Sequence, residues 1–86
     1  MNIKVIGLSC TKISRTLDNV QASVSEFPQP VSVEWIGEIH DIVEWGSKQT
    51  PTIFVNEKQK SSGRIPSVYE ISRWIEEEIA LDEVQV

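Results

Sequence analysis

One side chain in this 86-residue sequence stands out for reactivity, and it is the single cysteine, Cys10. With no second thiol in the chain, an intramolecular disulfide is impossible. A Cys-rich zinc or iron–sulfur site within one chain is excluded for the same reason. What remains for Cys10 is thiolate chemistry: attack on an outside disulfide, or a mixed disulfide with an outside thiol. A helical pattern begins directly after it. The thiol therefore falls at a helix N-terminus, where the positive end of the macrodipole, with Lys12 nearby, favours the thiolate. The competing reading is a small, half-buried and inert thiol. His40 is isolated, with no second His or Cys at ligand spacing, so no metal site is expected and a surface or helix-capping role is assigned. The run Glu76-Glu77-Glu78 reads as a solvated helix end, not as a metal site.

The elements that position Cys10 follow from periodicity. Residues 2–7 alternate and are rich in β-branched types (Ile3, Val5, Ile6), which predicts a strand ending at Gly7. Ser9 is placed to cap the next helix through its hydroxyl. Ile13, Leu17, Val20 and Val24 recur on one face and predict a helix from Thr11 to Glu26, stopped by Pro28 and Pro30. A second strand spans Val31 to Ile36, with Val31, Val33 and Trp35 on one face. Ile39, Ile42 and Val43 mark a short helix closed by Gly46. Trp35 and Trp45 are expected in the core or packed on helices.

Thr52-Ile53-Phe54-Val55 predicts a buried strand. Asn56-Glu57 predicts a tight turn into an edge strand from Lys58 to Ser62, whose Lys and Gln suit an edge. Ser67 and Glu70 form a capping-box pattern opening a last helix with the stripe Val68, Ile71, Ile75, Ile79. Trp74 falls beside that stripe, placed either to pack or to mark a partner surface. The glutamate run opposes the macrodipole and predicts fraying. The domain is read as residues 1–80, followed by a flexible tail over 81–86.

Composition narrows the classes. Eight Lys+Arg against 13 Asp+Glu leave a net charge of −5 and a pI near 4.7, which argues against nucleic-acid binding and against docking on anionic membranes. The length suits one domain with one modest core. Leu8-Ser9 before Cys10 resemble a lipidation site, but the preceding stretch is too short and is broken by Lys4 and Gly7. The expected compartment is the reducing cytoplasm, where a free thiol persists.

The predicted order is βαβαββα: a parallel pair joined by a right-handed crossover, then an antiparallel hairpin. The fold class is α/β, a mixed four-stranded sheet flanked by helices on both faces. Three stretches then carry a resemblance: Ile3-Lys4-Val5-Ile6-Gly7-Leu8-Ser9-Cys10, Thr50-Pro51-Thr52-Ile53-Phe54-Val55-Asn56, and Gly63-Arg64-Ile65-Pro66-Ser67. In this order and spacing the chain resembles the thioredoxin fold, and within it the small thioredoxin-like "redox-active disulfide protein" family. That family carries Cys-x-x-Cys. Here the motif reads Cys10-Thr11-Lys12-Ile13, so cycling between dithiol and disulfide within one chain is excluded. Ser14 falls one residue too late for the Cys-x-x-Ser of monothiol glutaredoxins.

The resemblance implies a cis peptide at Pro51, a Thr50 backbone turned outward to pair with an extended peptide or glutathione, and a Gly63 that lets a partner approach. It makes Cys10 the nucleophile and Ser9, Thr11, Lys12, Ile13, Thr50, Pro51 and Gly63 the partner-binding residues. Ile13 is either a core residue or an apolar surface beside the thiol. Three functions compete. The first is a glutaredoxin-like monothiol exchange protein, with glutathione or another external thiol as co-reactant and no bound cofactor. The second is a degenerate thioredoxin-fold module that binds a protein partner without turnover. The third is a switch in which an otherwise monomeric protein dimerises through Cys10.

Overall fold

Alternation along the first strand sorts the molecule into two layers around a sheet. The computed structural model describes residues 1–46 and 49–84. In chain order the elements are β1 (Asn2–Ile6), α1 (Thr11–Val24), β2 (Ser32–Ile36), α2 (Ile39–Glu44), β3 (Thr52–Val55), β4 (Lys58–Ser62) and α3 (Val68–Val84). The strands form one mixed sheet in the order β2-β1-β3-β4. β1 runs parallel to β2 and antiparallel to β3, and β3 runs antiparallel to β4.

Ile3 and Val5 point to one face, where they meet Ile53 and Val55 from the sheet, Ile13 and Val20 from α1, and Ile71 and Ile75 from α3. All eight are buried, and each fully buried aliphatic side chain contributes about 1.5–3 kcal/mol. Leu17, Val24, Val31, Val33, Trp74 and Ile79 pack around this core and are partly buried. Lys4 and Phe54, partners in register, lie on the opposite face. There Trp45, just past α2, packs on Phe54 in a tilted arrangement, with ring centroids 4.9 Å apart and an interplanar angle of 59°. The Lys4 ammonium lies 4.7 Å from the Trp45 ring centroid, a cation–π contact that shields this side of the sheet.

Polar contacts lash α1 to the start of α3. Ser23 Oγ donates to the Val68 carbonyl at 2.9 Å, and Asn19 Nδ2 donates to the Pro66 carbonyl at 2.8 Å. The capping box is formed: the Glu70 N–H donates to Ser67 Oγ, and the Ser67 N–H donates to Glu70 Oε1, both at 3.2 Å. Arg64 adds a bidentate pair to the same carboxylate. Arg64 first, then the Ser67 backbone, hold the Glu70 carboxyl below its ordinary value. The β3–β4 turn places Asn56 and Glu57 at φ 50° and 68°, the left-handed pair that matches strand twist in a two-residue hairpin.

Three expectations are corrected. Ser9 does not cap α1: Cys10 is the N-cap, with no side-chain capping bond. Trp35 is not a core residue, being 44% exposed. The glutamate run is not a frayed end, because α3 continues to Val84; Glu76 and Glu77 are exposed as expected, but Glu78 is only 3% exposed. Helix therefore replaces the expected tail over 81–84, while Gln85 and Val86 lie outside the described residues. No described helix is long and apolar enough to cross a membrane.

The burial of Glu78 has a cause in the edge strand. Gln59 pairs with Phe54 and Ser61 with Ile53, so Lys60 is the extra residue of a β-bulge. Lys60 Nζ reaches Glu78 Oε2 at 3.2 Å, and Lys58 Nζ reaches Oε1 at 3.3 Å. Burial pushes the Glu78 carboxyl up, but the hydrogen bonds and charges of Lys60 and Lys58 outweigh it and leave the value lowered. A carboxyl lowered in the folded state adds stability that is complete above its unfolded value and is lost as pH falls through the folded one. Glu78→Gln is expected to cost about 1–3 kcal/mol at neutral pH, because Lys60 loses its counter-charge in a mostly buried position. Urea unfolding of both proteins across a pH series should show this gap closing on acidification.

Candidate functional site

A glycine without room for a side chain joins the elements around Cys10. A Cβ added to Gly7 would lie 2.5 Å from Ile13 Cδ1 and 3.1 Å from Thr50 Cβ. The end of β1 thus passes between the first turn of α1 and the segment leading into β3. The Gly7 N–H donates to the Ile36 carbonyl at 3.0 Å. The Gly7 carbonyl accepts from Trp35 Nε1 at 2.8 Å. Both backbone groups of Gly7 are therefore tied to β2, and the chain leaves this anchor into Leu8, Ser9 and Cys10, all exposed.

Cys10 begins α1 with an extended backbone, φ −166° and ψ 176°, and its carbonyl accepts the first helical bond from the Ser14 N–H at 3.0 Å. Its side chain is free and exposed. The N-cap position sets the thiol at the positive end of a 14-residue helix whose first turn holds no acidic residue. Thr11 and Lys12 continue the exposed surface.

The second half of the site is the segment before β3. The Thr50–Pro51 peptide bond is cis. Pro51 is fully buried, and its carbonyl accepts from the Gly63 N–H at 2.9 Å. The Gln49 carbonyl accepts from the hydroxyls of Thr52 and Ser62. Gly63 has φ +81°, a left-handed conformation that calls for glycine, and it lies against the Gln49 side chain. These bonds fix Gln49 and Pro51 and leave Thr50 exposed between them.

The residues expected from sequence divide accordingly. Ser9, Cys10, Thr11, Lys12, Thr50 and Gly63 are exposed at the end of the sheet where β1 stops and β3 begins. Ile13 is corrected: at 2% exposure it belongs to the core and offers no surface beside the thiol. Pro51 is likewise fully buried and presents no side chain to a partner. Sequence reasoning missed Gln49, Ser62 and Trp35. A Trp two residues before a Gly is the only trace of the last. His40, expected on the surface, is exposed with Nε2 3.0 Å from Glu44 Oε1. Helical spacing also brings ligand-type atoms of His40, Asp41 and Glu44 within 4.8 Å of one another, which the search for a second His or Cys did not consider.

Comparison with known proteins agrees with this geometry. A family model described as "Thioredoxin domain" matches residues 1–76. A thioredoxin of Methanocaldococcus jannaschii is 30% identical over 69 residues, covering 80% of this chain and 79% of the relative. No solved structure gives a significant match.

The close approach at Gly7 has a measurable consequence. Gly7→Ala is expected to destabilise the fold by about 1–3 kcal/mol, the usual cost of overpacking a filled site. Ile13 must shift within the core while Thr50 is pressed outward. Thermal unfolding followed by circular dichroism should show the loss, and Leu8→Ala, at an exposed neighbour, should leave the midpoint unchanged.

Proposed function

Since the chain belongs to the thioredoxin domain family, we propose that it is a monothiol exchange protein in which Cys10 forms mixed disulfides with outside partners. The observation that carries this reading is the exposed Cys10 thiol at the N-cap of α1, on the same end of the sheet as the cis Thr50–Pro51 turn. In the first step the Cys10 thiolate attacks one sulfur of a disulfide. A Cys10–S–S–R bond forms and the other sulfur leaves as a thiolate, so the electron count balances. In the second step an external thiol attacks the mixed disulfide and releases Cys10. Ile13 stands where a resolving cysteine would sit, so the second thiol comes from outside the chain.

Thr50 supports partner binding in this reading. Among the described residues nothing bonds its backbone N–H or carbonyl, and both suit pairing with an extended segment of a disulfide protein or with glutathione. Ser9, Thr11, Lys12 and Gly63 frame the approach. A reducing cytoplasm supplies the resolving thiol. The protein acts as a monomer and needs no bound cofactor.

The test is incubation with glutathione disulfide followed by intact-mass analysis. One glutathione adduct per chain is expected, removed by added thiol and absent in Cys10→Ser. A wild-type protein that stays unmodified while its thiol remains alkylatable overturns the exchange reading and leaves a binding module. A mass of two chains, lost on reduction, identifies the Cys10-linked dimer instead.

A further inference from the structure

We infer that Trp35 is a positioning residue for Cys10, its indole lying over Gly37 and holding the carbonyl of Gly7. The inference deepens the exchange reading and takes its functional meaning from it. Trp35 Nε1 donates to the Gly7 carbonyl at 2.8 Å. Among the described residues this is the only side-chain hydrogen bond onto the stretch from Gly7 to Thr11. Leu8, Ser9 and Cys10 are exposed and make no such bond of their own. The thiol is therefore held at two points: the first turn of α1 on one side, and the Gly7 anchor on the other.

The indole is itself held in place by the absence of a side chain beneath it. A Cβ at Gly37 would lie 2.7 Å from both Cε2 and Cζ2 of Trp35, and 3.1 Å from the donating Nε1. The ring thus rests on the Gly37 backbone, although the residue as a whole is 44% exposed. Trp35 spans the edge of the sheet, from the outer strand β2 to the end of β1. A tryptophan used only for packing would be buried with its neighbours. This one spends its polar atom on the loop that carries the nucleophile.

Two substitutions test the assignment by different routes. Trp35→Phe removes the donor and keeps an aromatic ring. Gly37→Ala leaves Trp35 intact and displaces its indole. Cys10 modification is followed by iodoacetamide alkylation and by glutathione adduct formation, at a temperature where circular dichroism shows each protein folded. Both variants are expected to slow both reactions about fivefold, the effect of one lost hydrogen bond of ordinary strength on the population of the reactive loop. A purely structural role would lower the unfolding midpoint and leave the rates of the folded protein unchanged. Unchanged or faster reaction in both variants overturns the proposal, as does slowing in only one of them. If wild type forms no glutathione adduct, the exchange reading fails on its own, and the alkylation rates still decide the role of Trp35.

Discussion

The space that Gly7 leaves empty is the constraint on which the rest of the structure depends. A backbone with no Cβ lets the last residue after β1 sit against both Ile13 and Thr50. Through Ile13 it touches the core that α1 and α3 share with the sheet. Through Thr50 it touches the cis turn that starts β3. Through its own N–H and carbonyl it is bonded to Ile36 and Trp35 at the end of β2. Three strands and one helix therefore meet at one residue, and Cys10 follows three positions later. The thiol is exposed, yet the residue three positions before it is tied to all of these elements.

Two further devices complete the frame. Gly63 accepts a left-handed backbone and brings the end of β4 against the Gln49–Pro51 segment, so the cis turn is gripped from the side opposite to Gly7. Farther from the site, the bulge at Lys60 and the carboxylate of Glu78 fasten the hairpin edge to α3. Lys60 is mostly buried and Lys58 half exposed, so one Glu side chain joins a protected cation and a solvated one. Lysines along β4 also discourage pairing of that edge with another strand.

Much of this was legible in the residues themselves. Alternation in β1 and β3, the four-three-four spacing in α1 and the Ser67/Glu70 pair are local patterns, and each formed the element it predicts. The order of elements and the place of Cys10 followed from them. What escaped depends on contacts between distant residues. Glu78 reads as part of a solvated run until the bulge in β4 brings lysines over the far end of α3. Trp35 reads as core because its alternation matches Val31 and Val33, yet on the edge strand of the sheet it stays 44% exposed. Ile13 left two readings open from sequence, and only its packing beneath Gly7 decides for the core. Ser9 has a good capping side chain, but its neighbour Cys10 takes the cap position, and the helix opens without a side-chain bond.

The burial of Ile13 bears on time as well as on chemistry. In a site with two thiols the second is present at a high effective concentration, because it is tethered to the first, and it clears a mixed disulfide as soon as it forms. Here that tethered position is filled by a core aliphatic side chain. On the exchange reading, the lifetime of an adduct on Cys10 is set by the concentration of free thiol in the surroundings and by how well the adduct is shielded. Such a protein retains a record of an oxidising episode for as long as the ambient thiol is scarce, and a dithiol site would erase that record within a single encounter.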